Sequence, residues 1–342
     1  MCTVYIPKKM PETEPINVTK EDMRPAPIAL FCYNRLDCLK QTVSALQANG
    51  LAHRSDLFIF SDGPKPDEDS AAVCGVRAYL VTVTGFRSVH IRAAEENRGL
   101  ANSIIPGVTE IVNRFGRIIV VEDDIVTAPF FLEFMNEALD FYRDEEKVAG
   151  IHGWRPRSDL PVPDTFFTNE VGCWGWATWK RGWDLFEPDG GKLLRQFTSH
   201  EQIDEFNVFG SYPFYEMLRD QAAGRVDSWA IRWYASVFLK GRLGLQPGKN
   251  MVRNIGLTSG THGSPEYEFS EDVLADRKPA VEKIELKAAR DILKKIYVPD
   301  YEKHCPRHQR SRFGKIKGVI RQAAGLFLPR GPAAAPGGAG RR

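Results

Sequence analysis

Between residues 27 and 153 the chain repeats one pattern, a short apolar run followed by an amphipathic stretch, and this alternation restricts the fold more than any other feature. "PIALFCY" (27–33) reads as a buried strand, after which Leu36, Leu39, Val43 and Leu46 recur at helical spacing until Gly50. "DLFIFSD" (56–62) is a second strand closed by the turn residues "DGPKP", and a helix over 69–83 follows. "SVHIR" (88–92), a helix over 99–114 and "RIIVVEDD" (117–124) continue the series. A helix over 129–142 presents Phe131, Phe134, Ala138 and Phe141 on one face and leads to "VAGIHG" (148–153). Strands alternating with helices of this length predict an α/β fold, a mostly parallel sheet flanked by helices on both faces.

Sheets of this kind receive ligands at the carboxyl ends of their strands. Polar residues collect there in this chain: "CYNR", "SDGP", "ENRG" and "EDD" each stand at or just after a strand end. The second half is less regular and rich in tryptophan, with "GCWGWATWKRGWDLF" (172–186), "RVDSWAIRWYASVFLKG" (225–241) and the loop "NMVRNIGLTSGTHG" (250–263). It reads as a mixed substrate-binding half and not as a second independent core.

Composition narrows the class. The 342 residues are 43% hydrophobic, ample for a core, and no segment has the roughly 18 uninterrupted apolar residues of a membrane span. The six cysteines, at 2, 32, 38, 74, 173 and 305, have no zinc-site spacing and are expected to be reduced thiols of a cytoplasmic protein. Nine of the 46 basic residues and none of the 44 acids lie from Arg307 onward, leaving 37 basic residues against 44 acids before it. A nucleic-acid binder is not charged in this way.

The three acids of "VVEDDIV" (120–126) pose a problem of repulsion. One carboxylate suffices to cap the next helix, and that structural role stays open. Three hard oxygen ligands at one strand end suit a divalent cation, Mn2+ or Mg2+, which keeps waters and shares its shell with substrate phosphates. No Walker sequence is present and no G-x-G-x-x-G follows the first strand, which argues against a P-loop ATPase and a dinucleotide-dependent dehydrogenase. Arg35 and Arg98, each beyond a strand end, are candidates to meet a diphosphate.

Taken in order, "ALFCYNR", "FSDGP", "ENRGLANSI" and "VVEDDIVTAPFFLEFM" resemble the GT-A glycosyltransferases, in particular the bacterial inverting family-two type and the N-acetylglucosaminyltransferase I type, over about residues 27–265. The resemblance implies a GT-A fold, a nucleotide-sugar donor and a metal ion. By the same resemblance Asp62 contacts uracil, Asp124 binds the metal directly, and Glu122 and Asp123 contact ribose, sugar or metal-bound water. Arg35 falls where the family holds base or phosphate, and Asn97 and Arg98 resemble its donor-contacting pair. Asp227 resembles the catalytic base and His262 the histidine returned to the metal or diphosphate.

Each of these residues has a plainer alternative. Asp227 stands where a helix N-cap is expected, and His262 sits between glycines in a loop that need only be surface. Trp174, Trp176 and Trp179 alternate as on a strand and are core candidates, although a sugar ring stacks well on indole, so Trp174 and Trp176 are expected in a donor or acceptor loop. Residues 310–328 set Phe313, Ile316, Ile320, Ala323 and Phe327 against Lys and Arg, which suits a helix lying on an anionic membrane surface.

The expected organisation is a polar arm (1–26), a nucleotide-sugar-binding half (27–152), an acceptor-binding half of the same domain (153–306), a basic amphipathic helix (307–330) and a disordered tail (331–342). The expected function is metal-dependent inverting transfer of a sugar, from a UDP-sugar, to a glycan or lipid-linked acceptor in bacterial surface polysaccharide synthesis. That places the protein in the cytoplasm, peripheral at the inner face of the membrane. A sugar nucleotidyltransferase and an inactive carbohydrate-binding protein of the same fold are the alternatives.

Overall fold

The computed structural model describes residues 24–66, 70–256 and 273–304. His262, the basic segment 310–328, the tail 331–342 and most of the N-terminal arm lie outside these described residues.

One eight-stranded sheet organises the chain. Its strands are β1 (Ile28–Cys32), β2 (Asp56–Ser61), β3 (Ser88–Ala93), β4 (Arg117–Glu122), β6 (Val148–His152), β7 (Thr165–Thr168), β8 (Trp176–Trp179) and β9 (Leu243–Pro247). A separate antiparallel ribbon pairs β5 (Ile125–Thr127) with β10 (Val252–Asn254). The order across the sheet is β3-β2-β1-β4-β8-β6-β9-β7. Six strands run one way, while β8 runs against both β4 and β6 and β7 runs against β9. The α/β, mostly parallel architecture expected from the alternating pattern is therefore present. The second half extends the same sheet, with β8 lying between strands of the first half.

Helices α1 (Leu36–Gln47), α2 (Ser70–Leu80), α3 (Leu100–Phe115) and α4 (Phe131–Phe141) occupy the stretches predicted to be helical. Alternation along the strands explains why the sheet buries both faces. Ile28, Leu30 and Cys32 of β1 and Ile119 and Val121 of β4 join one apolar cluster, with Leu39 and Val43 of α1 and Phe131, Phe134 and Ala138 of α4. Ala29, Phe31, Ile118 and Val120 point the other way, toward Ile104, Val108 and Ile111 of α3. Phe31 and Phe60 stack at 4.8 Å, and Gly107 lets α3 close on them, since a Cβ there would lie 2.8 Å from the Phe31 ring. Phe141 departs from expectation: at the last turn of α4 it is exposed and only edges onto Tyr142.

The second half adds short helices α5 (Lys180–Trp183), α6 (Gly190–Leu194), α7 (His200–Phe206) and α8 (Phe214–Ala222), then the buried α9 (Trp229–Leu239). A final unit runs from α10 (Arg290–Ile292) through a π-helical turn (Leu293–Tyr297) into α11 (Val298–His304). It docks through Leu293, Ile296 and Tyr297 on Phe166 and Val208. Among the described residues no helix is long and apolar enough to cross a membrane.

The alternation expected of the tryptophans needs correction. Only Trp176 and Trp179 belong to β8, and at a separation of three they fall on opposite sheet faces, each in a different core cluster.

Candidate active site

The exits of β1, β2 and β4 and the loop between β3 and α3 meet at one edge of the sheet. The exit of β2 carries Asp62, whose buried carboxylate holds this edge together. One of its oxygens accepts from the backbone N–H groups of Gly63 (2.8 Å) and Arg98 (2.9 Å). The other accepts from the N–H of Gly99 (3.0 Å) and from Asn97 Nδ2 (3.1 Å). Four donors fill the acceptor capacity of a carboxylate. Asp62 and Asn97 thus fasten the β2 turn to the start of α3, and Asn97 Nδ2 also donates to the Gly63 carbonyl at 3.0 Å. Gly63 is required by this closeness, because a Cβ on it would stand 2.3 Å from the Glu96 carbonyl carbon. "FSDGP" carried that glycine in plain view, but only the approach of a second loop gives it a reason.

Asp123 does the corresponding work between β1 and β4. Its carboxylate accepts from the Tyr33 N–H at 3.2 Å and pairs with Arg35 Nη2, while its carbonyl accepts from Thr42 Oγ1 at 2.9 Å. Arg35 spans both aspartates, its Nη1 lying 2.9 Å from Asp124 Oδ2. Burial opposes the charge on Arg35, but Asp123 and Asp124 outweigh it and hold the guanidinium's pKa above its ordinary value. Burial pushes Asp123 up to about 6 against the pull of Arg35. Burial, and then the charges of Asp124 and Asp123, hold Glu122 well above the ordinary carboxylate range. The apparent repulsion of "EDD" is thereby met in two ways: Arg35 supplies a positive charge, and Glu122 tends to keep its proton.

The backbone beyond β10 closes over the last acid. Ile255 N–H donates to the Asp124 carbonyl at 2.9 Å, and a Cβ on Gly256 would stand 2.1 Å from Asp124 Oδ2. Among the described residues no three His, Cys, Asp or Glu side chains form a group that holds a metal by itself. The hard oxygen donors and their excess negative charge fit a divalent ion that takes one or two carboxylates and completes its shell from phosphate oxygens and water.

Asp227 comes to the same edge from the second half. Its side chain is 59% exposed and lies beside Gly99, whose Cβ, if present, would stand 3.9 Å from Asp227 Oδ2. The cap of α9 is not Asp227 but Ser228, whose Oγ accepts from the Ile231 N–H at 3.3 Å. Relieved of capping, the Asp227 carboxylate faces solvent with one long contact, 3.4 Å, from Arg232 Nη2. Arg98, which precedes Gly99 in the β3–α3 loop, is exposed.

Two expected sugar contacts fare differently. Trp176 is fully buried, with Trp183, Trp229 and Trp233 at centroid distances of 5.8, 5.5 and 5.7 Å, so no ligand ring reaches it. Its place in a donor or acceptor loop is corrected to the core, where β8 needs large apolar side chains on both faces. Trp174, just ahead of β8, is partly exposed and meets Trp154 edge to face at 4.7 Å.

No family model matches this chain, and no curated protein matches its sequence. Among solved structures it is similar to the mannosyltransferase PcManGT from Pyrobaculum calidifontis in complex with GDP-Man and Mn2+, at 12% identity and a TM-score of 0.38, over 66% of this chain and 73% of that one.

Proposed function

We propose that the protein is a GT-A glycosyltransferase that transfers a sugar, with inversion, from a nucleotide-sugar, a UDP-sugar in the first instance, to a glycan or lipid-linked acceptor. One observation carries the reading: a cation-bridged aspartate pair and an exposed, uncapped carboxylate, Asp227, stand at the same carboxyl edge of a mostly parallel sheet. The edge is where such sheets receive ligands. Its charged groups are those a diphosphate leaving group and an attacking hydroxyl require.

In this reading Asp227 takes the proton of the acceptor hydroxyl as that oxygen forms its bond to the anomeric carbon, while the bond from that carbon to the diphosphate oxygen breaks. Exposure suits the role, since the acceptor must reach the carboxylate from solvent. Arg35 and Arg98 orient the diphosphate by charge-assisted hydrogen bonds. Asp124 is the residue that would hold Mn2+ or Mg2+, which when bound stabilises charge on the departing diphosphate. Glu122 is proposed to meet ribose or metal-bound water. Asp62, Asn97 and Asp123 act chiefly through the loops they fix, and any uracil or ribose contact they make is shared with bonds already formed.

The test separates binding from chemistry. Asp227→Asn is expected to keep donor affinity within about twofold in calorimetry with Mn2+ while transfer falls by about a thousandfold or more, the scale of lost general-base assistance. Near-normal turnover in that variant removes Asp227 from the mechanism.

A further inference from the structure

Seven tryptophans are present, and five of them, Trp176, Trp179, Trp183, Trp229 and Trp233, are at most 6% exposed. Only Trp154 and Trp174 keep exposed surface, and these two are in contact, ring centroids 4.7 Å apart and planes at 68°. They come from different strands, Trp154 just beyond β6 and Trp174 just before β8. Two glycines bring them together. A Cβ on Gly153 would lie 2.7 Å from the Gly175 carbonyl oxygen and 3.0 Å from Val252. A Cβ on Gly175, where φ is +57°, would lie 2.6 Å from Val252 and 3.4 Å from Ile125. Ile125 is the residue after Asp124, so the pair is clamped against the ribbon that leaves the acidic turn. The indole corner is therefore held on two strand ends and not on a free loop.

From this placement we infer that Trp154 and Trp174 form the subsite for the hexopyranose ring of the donor, a deepening that rests on the glycosyltransferase reading above. The diphosphate end of a donor is expected at Asp124 and Arg35, and the sugar is bonded directly to that diphosphate. Gly175, next to Trp174, packs its backbone on Ile125, the residue that follows Asp124, so the strand end that carries Trp174 runs alongside the acidic turn. An edge-to-face pair offers a concave apolar corner, which suits the C–H face of a pyranose and leaves its hydroxyls to water and polar neighbours.

The experiment compares UDP and GDP, each alone and as its hexose conjugates, by calorimetry with Mn2+ on the full chain. The variants are Trp154→Ala, Trp174→Ala and the two phenylalanine substitutions. The alanine variants are expected to bind the free nucleotide as the wild type does and to lose affinity for its sugar conjugate by about fivefold or more, the size of one aromatic contact. The phenylalanine variants, which keep an aromatic ring in the contact, are expected to fold and to retain most of that affinity. Tryptophan emission of the wild type should respond to the conjugate and not to the nucleotide alone. An unchanged ratio of conjugate to nucleotide affinity in every variant overturns the subsite alone. A wild type that binds neither nucleotide overturns the glycosyltransferase reading and the subsite with it.

Discussion

Arg35 shows how much a single side chain decides at this edge. With Asp123 almost wholly buried, its carboxylate depends on the guanidinium for charge compensation, and Asp124 leans on the other nitrogen. Arg35→Ala is expected to cost about 2–3 kcal/mol at pH 7.5, because it leaves a buried carboxylate without its partner. The loss should shrink near pH 5, below the pKa of about 6 at which burial holds Asp123, as that group protonates. Urea unfolding of both proteins at the two pH values checks this; a penalty equal at both means that the ion pair is not its source. Arg35→Lys should restore only part of the loss, since one ammonium cannot span two carboxylates as a planar fork does. The sequence already pointed to these residues, because acids and an arginine beyond strand ends have few structural uses. Their division of labour was not legible. Nothing in "DG" or "NRG" says that Asp62 will meet four donors from two loops, because three of those donors are 35 to 37 residues away along the chain.

At the level of elements, the loop between β7 and β8 is tied to the C-terminal helices. Glu170 lies at its base, hydrogen-bonded to Tyr301 of α11, and burial pushes its carboxyl up to about 7. The folded state therefore holds a proton that the unfolded chain releases near pH 4.5, so the stability linked to Glu170 is complete below pH 4.5 and is lost as pH rises through about 7. Glu170→Gln removes that dependence and should gain about 3 kcal/mol relative to the wild type between pH 4 and pH 8. Parallel stability curves for the two proteins across this range would count against the assignment. His152, pushed down to about 3 by burial, works in the opposite direction, its contribution being lost as pH falls from 6.5; it cancels in the comparison because both proteins carry it. The elements of the first half were legible because β1, β2 and β4 are unbroken apolar runs buried on both faces. Those of the second half were not. "TFFT" and "LGLQP" are short, the latter broken by Gly and Pro, and "WATW" has no alternation to read because both faces of β8 are filled with indole.

Across the whole molecule, the position of β8 makes the two halves inseparable. The β4 strand has β1 on one side and β8 on the other, and β6 is joined to the other strands of the first half only through β8. Residues 24–152 expressed alone leave β4 with an open edge and β6 without its bridge, and are expected to show no near-UV circular dichroism and no cooperative melting, whereas the full chain melts in one transition. A fragment that melts sharply would mean that the halves are independent domains. The proposed active site follows the same division: the donor side, Arg35, Asp62 and the acidic turn, comes from the first half, and Asp227 from the second.

The late arrival of β8 also sets an order of events during synthesis. When the ribosome has released α4 and β6, the nascent chain holds most of a hydrophobic sheet whose middle position is vacant and whose edges attract other strands. Only after residue 179 clears the exit tunnel can the gap close, by insertion of a strand running against its neighbours. Until then the facing edges of β4 and β6 carry unpaired backbone groups, the kind of open edge to which other strands add.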